Sequence, residues 1–189
     1  MAIPQTIRTI VLTGFMGAGK STVGPLLAQT LGWDFLDADT AIETKAGMTI
    51  VEVFMRHGEE SFRALEAEAI REHADRTKLV LALGGGALEA EGTRTLLATH
   101  KHACLIFLDA PLEVLVTRCM EQPGAAERPV LANREGLVQR FNTRLPYYRE
   151  AHLIIATEGL SPDEVVAKIM NAVEKIGSTE PAVQGTTIG

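Results

Sequence analysis

Residues 14–22 read GFMGAGKST, between an apolar run rich in β-branched residues (7–12, IRTIVL) and the amphipathic run VGPLLAQTL. A strand that ends in Gly-x-x-x-x-Gly-Lys-Ser and passes straight into a helix turns successive backbone N–H groups toward one point, where they cradle phosphates. Glycines are needed because several of these peptides take positive φ and lie against the ligand, where a Cβ would obstruct. Lys20 then brings a point charge to the β and γ phosphates of a nucleotide. Ser21, in the first helical turn, offers its hydroxyl to Mg²⁺, and the helix N-terminus adds partial positive charge.

The chain has 189 residues, 46% of them apolar, enough to bury about 70% of its unfolded surface around one core. Cys104 and Cys119 are its only cysteines and show neither CxxC nor Cys/His spacing. Neither a disulfide framework nor a structural zinc site is expected, and a reducing, cytoplasmic setting is. The N-terminal segment MAIPQTIRTIVL carries no basic n-region, cleavage pattern or membrane-length apolar run, so a soluble, unexported protein is expected. A net charge of −6 argues against nucleic-acid and membrane partners, both of which need a contiguous basic face. Any bound anion must be met by locally clustered arginines.

Apolar runs of strand length alternate with helical patterns along the chain, the signature of a parallel sheet covered on both faces. After 7–12, the candidate strands are 33–37 (WDFLD), 79–83 (LVLAL), 103–108 (ACLIFL) and 153–156 (LIIA). Helical patterns cover 20–31, 49–56, 59–74, 93–99, 112–119 and 137–149. Ser161, followed by Pro162 and Glu164, opens a last helix to about residue 176. The expected fold is α/β, a three-layer α/β/α arrangement with a central five-stranded parallel sheet. One domain over 1–176 is expected, with a largely helical insertion at 40–74, a weakly periodic loop at 120–132 and a disordered tail at 177–189. Insertions at strand carboxyl ends are where α/β proteins place substrate and lids.

Asp37 and Asp39 follow the second strand in the run FLDAD. If the strand persists, residues two apart share a side, so both carboxylates face the phosphate loop, one serving the metal's water shell and the other the acceptor hydroxyl. Alternatively, Asp39 simply caps the helix beginning TAIETK. Gly84, Gly85 and Gly86 come directly after the third strand and suit a backbone that approaches a ligand, or else a plain flexible turn. Arg63, Arg118, Arg128 and Arg144 fall at loops and helix ends. Any one of them is ordinarily a solvated surface residue. Glu66 either makes a minor helix-surface pair with Arg63 or holds its guanidinium ready for a substrate carboxylate.

With GFMGAGKST, FLDAD, GEESFRALE (58–66), LGGGA, ERPVL and RLPYY in order, the chain resembles the shikimate kinases over roughly residues 7–175. That family is a branch of the nucleoside-monophosphate-kinase-like P-loop proteins, and it transfers the γ-phosphoryl of ATP to the 3-hydroxyl of shikimate in chorismate and aromatic amino-acid biosynthesis. The resemblance implies a monomeric enzyme using ATP and Mg²⁺. It matches Gly17, Ala18, Gly19, Lys20, Ser21 and Thr22 to the ATP site, with Ser21 on the metal and Asp37 reaching it through water. Asp39, Arg63, Arg144 and the glycines around Gly85 match the shikimate site, the two arginines holding the carboxylate. Arg128 matches the arginine of a lid at about 118–132, and Arg118 an adenine-side contact. Lys20, Asp39 and Arg128 are the catalytic candidates. No adenine contact is assigned in TEGL (157–160), where the family often carries basic or polar residues.

The residue types suit phosphoryl transfer without the family name, since that chemistry asks for alignment and charge neutralisation. Gluconate, aminoshikimate and nucleoside-monophosphate kinases are the alternatives among small-molecule kinases. A GTP-binding switch would need DxxG and NKxD segments, and neither is present.

Overall fold

Strand β1 (Thr9–Thr13) is buried at every position and lies at the centre of a five-stranded parallel sheet. In the computed structural model, which describes residues 4–121 and 133–178, β1 pairs on one side with β3 (Leu79–Ala82) and on the other with β4 (Ala103–Asp109). The edges are β2 (Asp34–Asp37) beside β3 and β5 (Leu153–Ala156) beside β4, giving the order β2-β3-β1-β4-β5. Inner strands read as unbroken apolar runs because helices cover both faces, while the edge strands keep polar or exposed positions.

The sequence places each of these strands to within two residues. Helix α1 (Lys20–Leu31) ends at Gly32, whose N–H returns to the Ala28 and Gln29 carbonyls. Residues 40–74 are helical as expected, in α2 (Ala38–Ala46) and α3 (Ile50–Ala74). Thr49 and Glu52 form a capping box at the start of α3, and Gly58 (φ 77, ψ 176) breaks it at the gap left between the two expected helices. This insertion has its own small core of Ile42, Val53, Phe62 and Ala69, so Arg63 stands beside a fixed apolar neighbour. Helix α4 (Glu91–Thr99) precedes β4, and α5 (Leu112–Met120) follows it. Helix α6 (Arg134–Tyr148) starts three residues earlier than expected because the Asn133 side chain accepts from Gly136 N. The last helix, α7 (Pro162–Ser178), opens with the expected reciprocal contacts, Ser161 N to Glu164 Oε2 at 2.8 Å and Glu164 N to Ser161 Oγ at 3.3 Å.

One local expectation is overturned. Strand β2 stops at Asp37, so Asp37 and Asp39 do not share one side of an extended segment. Asp37 itself is the cap of α2, its Oδ1 accepting from Asp39 N at 3.1 Å, and Asp39 lies in the first helical turn. A carboxylate that can satisfy an orphan helix N–H ends the strand in favour of the helix. The alternative that made Asp39 the cap is wrong by the same contact. Residues 122–132, which include the expected Arg128 and most of the expected lid, and residues 179–189 of the expected tail lie outside the described residues.

Candidate active site

Because the strands are parallel, the loops after them gather along one edge of the sheet, beside the central strand where the chain's direction of travel reverses. The first loop joins β1 to α1. At Gly17 (φ 77) a Cβ would lie 2.3 Å from the Leu115 carbonyl oxygen, a contact with α5 backbone that only glycine permits. Lys20, the first residue of α1, is half-buried, and its Nζ donates to Gly14 O at 2.7 Å and Phe15 O at 3.2 Å. Burial pulls its pKa down to about 8, against the opposing pull of the Asp37 and Asp39 carboxylates.

Ser21 Oγ donates to Asp37 Oδ2 at 3.1 Å, so the two metal candidates are adjacent. These are hard oxygen donors, the type Mg²⁺ prefers when it keeps several waters and completes its shell with phosphate oxygens. No cluster of three or more His, Cys, Asp or Glu fit for a metal occurs among the described residues. Asp39 is two residues further on, in the first turn of α2, its pKa raised first by burial and then by the neighbouring Asp37 charge, with Lys20 holding it partly down.

The third loop presents a second wall. A Cβ on Gly84 would sit 2.9 Å from Asp39 Oδ1 and 3.0 Å from Glu66 Oε1. One on Gly86 would sit 2.9 Å from both Arg63 Nη atoms and 3.0 Å from Arg144 Nη2. Gly84 and Gly86 thus clear space for two guanidiniums and two carboxylates from three other segments. Ala87 N donates to Gly84 O and Glu89 N to Gly86 O, and the run passes into a 3₁₀ turn (Ala87–Glu89). Gly85 O accepts from the hydroxyl of Tyr148, whose ring stacks on Phe107.

Arg63 Nη1 donates to Glu66 Oε2 at 2.8 Å, and Glu66 is only 3% exposed. A buried partner of this kind fixes the guanidinium, unlike the weak exposed helix pair that the same spacing allows. Burial raises the pKa of Glu66, and the ion pair with Arg63 opposes that rise.

On the far side of the first loop is a cleft of about 340 Å³ lined by Gly17, Ala18, Gly19, Arg118, Thr157 and Leu160, among others. Arg118 donates to Thr157 Oγ1 at 3.0 Å and Thr157 O at 2.7 Å, which ties its guanidinium to the loop before α7.

The sequence matches the family model for shikimate kinase over residues 16–174. The chain belongs to the shikimate kinase family. Among relatives within it, the shikimate kinase of Geobacter sulfurreducens is 43% identical over 178 residues, covering 93% of this chain and 96% of that protein. The Acinetobacter baumannii shikimate kinase in complex with shikimate superposes with a TM-score of 0.81 at 35% identity, covering 91% of this chain and 96% of the other. A gluconokinase from Sinorhizobium meliloti reaches 0.60 at 17% identity, a likeness of fold alone.

For a member of the shikimate kinase family, the residues legible in sequence come together as two groups: Lys20, Ser21, Asp37 and Arg118 around the first loop, and Asp39, Arg63, Arg144 and the glycines around the third. Sequence reasoning missed Tyr148, Glu89, Thr157 and Leu160. Tyr148 had a usable signal, since it follows Arg144 by one helical turn and so shares its face. Glu89 had none, because its partners are far away in the chain.

Proposed function

We propose that this protein transfers the γ-phosphoryl of ATP to the 3-hydroxyl of shikimate, yielding shikimate 3-phosphate and ADP in aromatic amino-acid biosynthesis. The observation that carries the reading is the pair of guanidiniums of Arg63 and Arg144 converging beside Gly86, with Asp39 at Gly84 on the side of Lys20. Two arginine forks suit a small carboxylate, and a carboxylate between them and the phosphate loop suits a hydroxyl acceptor.

ATP fits the first loop, with its base toward the cleft at Arg118, Thr157 and Leu160. Mg²⁺, when bound at Ser21 and Asp37, supplies charge neutralisation and alignment of the phosphates. Lys20 neutralises charge on the equatorial oxygens of the transferring group. Asp39 orients the acceptor hydroxyl and accepts its proton; a loose transition state does not demand a strong base. Arg128, assigned on sequence grounds, adds charge as an arginine entering from a lid at 118–132, and residues 40–74 act as the substrate-binding unit. Every assigned group comes from one chain, so a monomer suffices. No helix among the described residues is long and apolar enough to cross a membrane, and a cytoplasmic setting suits an enzyme that consumes ATP.

A coupled ADP-release assay over shikimate, quinate, gluconate and AMP tests the assignment, with turnover expected on shikimate and a preference for gluconate or AMP overturning it. Arg63→Lys keeps the charge but loses the fork held by Glu66, so the KM for shikimate rises about tenfold, equivalent to about 1.4 kcal/mol. An unchanged KM means that Arg63 grips no carboxylate.

A further inference from the structure

Glu89, which no motif singled out, bridges the two arginines assigned to the substrate carboxylate. Its Oε1 accepts from Arg144 Nε at 2.5 Å and its Oε2 lies 3.5 Å from Arg63 Nη2, one oxygen per guanidinium. Arg63 has other partners, but neither is placed as Glu89 is. Glu66 is 3% exposed and pairs with Arg63 alone, and Glu59 is 67% exposed on the outer side of α3. Glu89 is 34% exposed, so its carboxylate has a route out to water.

Its backbone stays where it is. Arg94 Nη1 donates to the carbonyls of Leu88 and Glu89 at 2.7 and 2.9 Å, and Arg94 is itself held over the Tyr147 ring at 4.3 Å. Glu89 N also donates to Gly86 O at 2.9 Å. Exchange of the carboxylate therefore needs rotation about side-chain bonds and no loop movement.

We propose that Glu89 is a displaceable internal counter-ion that occupies the carboxylate subsite of the empty enzyme, aligns Arg63 and Arg144, and is expelled by the carboxylate of the substrate. The inference rests on the shikimate reading above and makes Glu89 a positioning residue that sets substrate affinity. Two guanidiniums left alone would repel one another and spread. With Glu89 between them, they are held at the spacing a bridging carboxylate requires, and a substrate must compete for that place.

The test compares the full-length wild type with Glu89→Gln, which keeps the shape and removes the charge. The KM for shikimate and its Kd by calorimetry are expected to fall about threefold, the size of a partly exposed ion pair released, with a smaller change in kcat. The Kd of ADP, which fits the first loop and the cleft at Arg118 away from Glu89, is expected to stay the same. Glu89→Asp keeps the charge but is too short to reach both guanidiniums, so its shikimate affinity falls between the two. An unchanged or weaker shikimate affinity in Glu89→Gln, at an unaltered melting temperature, overturns the proposal, as does equal tightening for ADP. Wild-type protein that neither binds nor phosphorylates shikimate overturns the substrate assignment itself. That failure is distinct from a Glu89→Gln enzyme that turns over shikimate with an unchanged KM.

Discussion

Lys20→Ala lowers kcat by about 10³ and leaves the fold intact. The lysine is the first residue of α1 and donates to carbonyls of its own loop, so its ammonium is already positioned where phosphates would lie. It is half-buried, and a charge with few waters around it acts more strongly on transferring oxygens than one in bulk solvent. Removing one such preorganised donor typically costs 10² to 10³ in rate, and a full positive charge on the transferring group belongs at the upper end, about 4 kcal/mol of transition-state stabilisation. Alanine suits a first helical turn, and the variant sheds a charge that burial disfavours, so no loss of melting temperature is expected.

The depressed pKa adds a signature in stability. In the unfolded chain Lys20 titrates near 10.5 and in the folded protein near 8, so between those values the unfolded state binds more protons. The contribution of this group to stability therefore rises with pH through that window and is a cost below it. Lys20→Ala lacks this rise, which denaturant titrations at pH 7.5 and 9.5 on both proteins can read. Near-normal turnover in a coupled assay would sink the assigned role whatever the stability curve does.

Asp39→Asn should depress kcat by about 10² to 10⁴, the range for a positioned group that handles a proton. Its carboxylate lies by Gly84 and Glu66, away from the cleft at Arg118, so the KM for ATP is expected to stay within a few-fold. Burial, followed by the adjacent Asp37 charge, holds the Asp39 pKa above the usual carboxylate value of about 3.9. In the metal-free protein Asp39 is therefore protonated on acidification sooner than an ordinary aspartate, a titration that Asp39→Asn lacks. A change in ATP affinity alone, with kcat intact, would place Asp39 on the wrong ligand.

The strands, the first loop and most helix boundaries were legible because each is set by residues close together in the chain. Unbroken apolar runs mark strands buried on both faces, and Ser161-Pro162 with Glu164 marks a helix start. The error at Asp37 was also local: two signals, strand alternation and helix capping, competed over the same residues, and the capping contact to Asp39 N prevailed. Glu66 was legible as a neighbour of Arg63, but its burial was not, and burial separates a weak surface pair from a fixed guanidinium.

From the sequence alone follow a strand feeding a phosphate loop, a parallel sheet, and the residue types of a phosphoryl donor site, since these rest on spacing of a few residues and on hydrophobic period. Tertiary structure alone decided that Arg63, Arg144 and Glu89 meet beside Gly86, across 26 and 55 positions of chain from Glu89. Three elements carried to one edge of the sheet make that meeting, and no local pattern records it, because the distance between side chains in a fold depends on where strands pair and not on their separation in sequence.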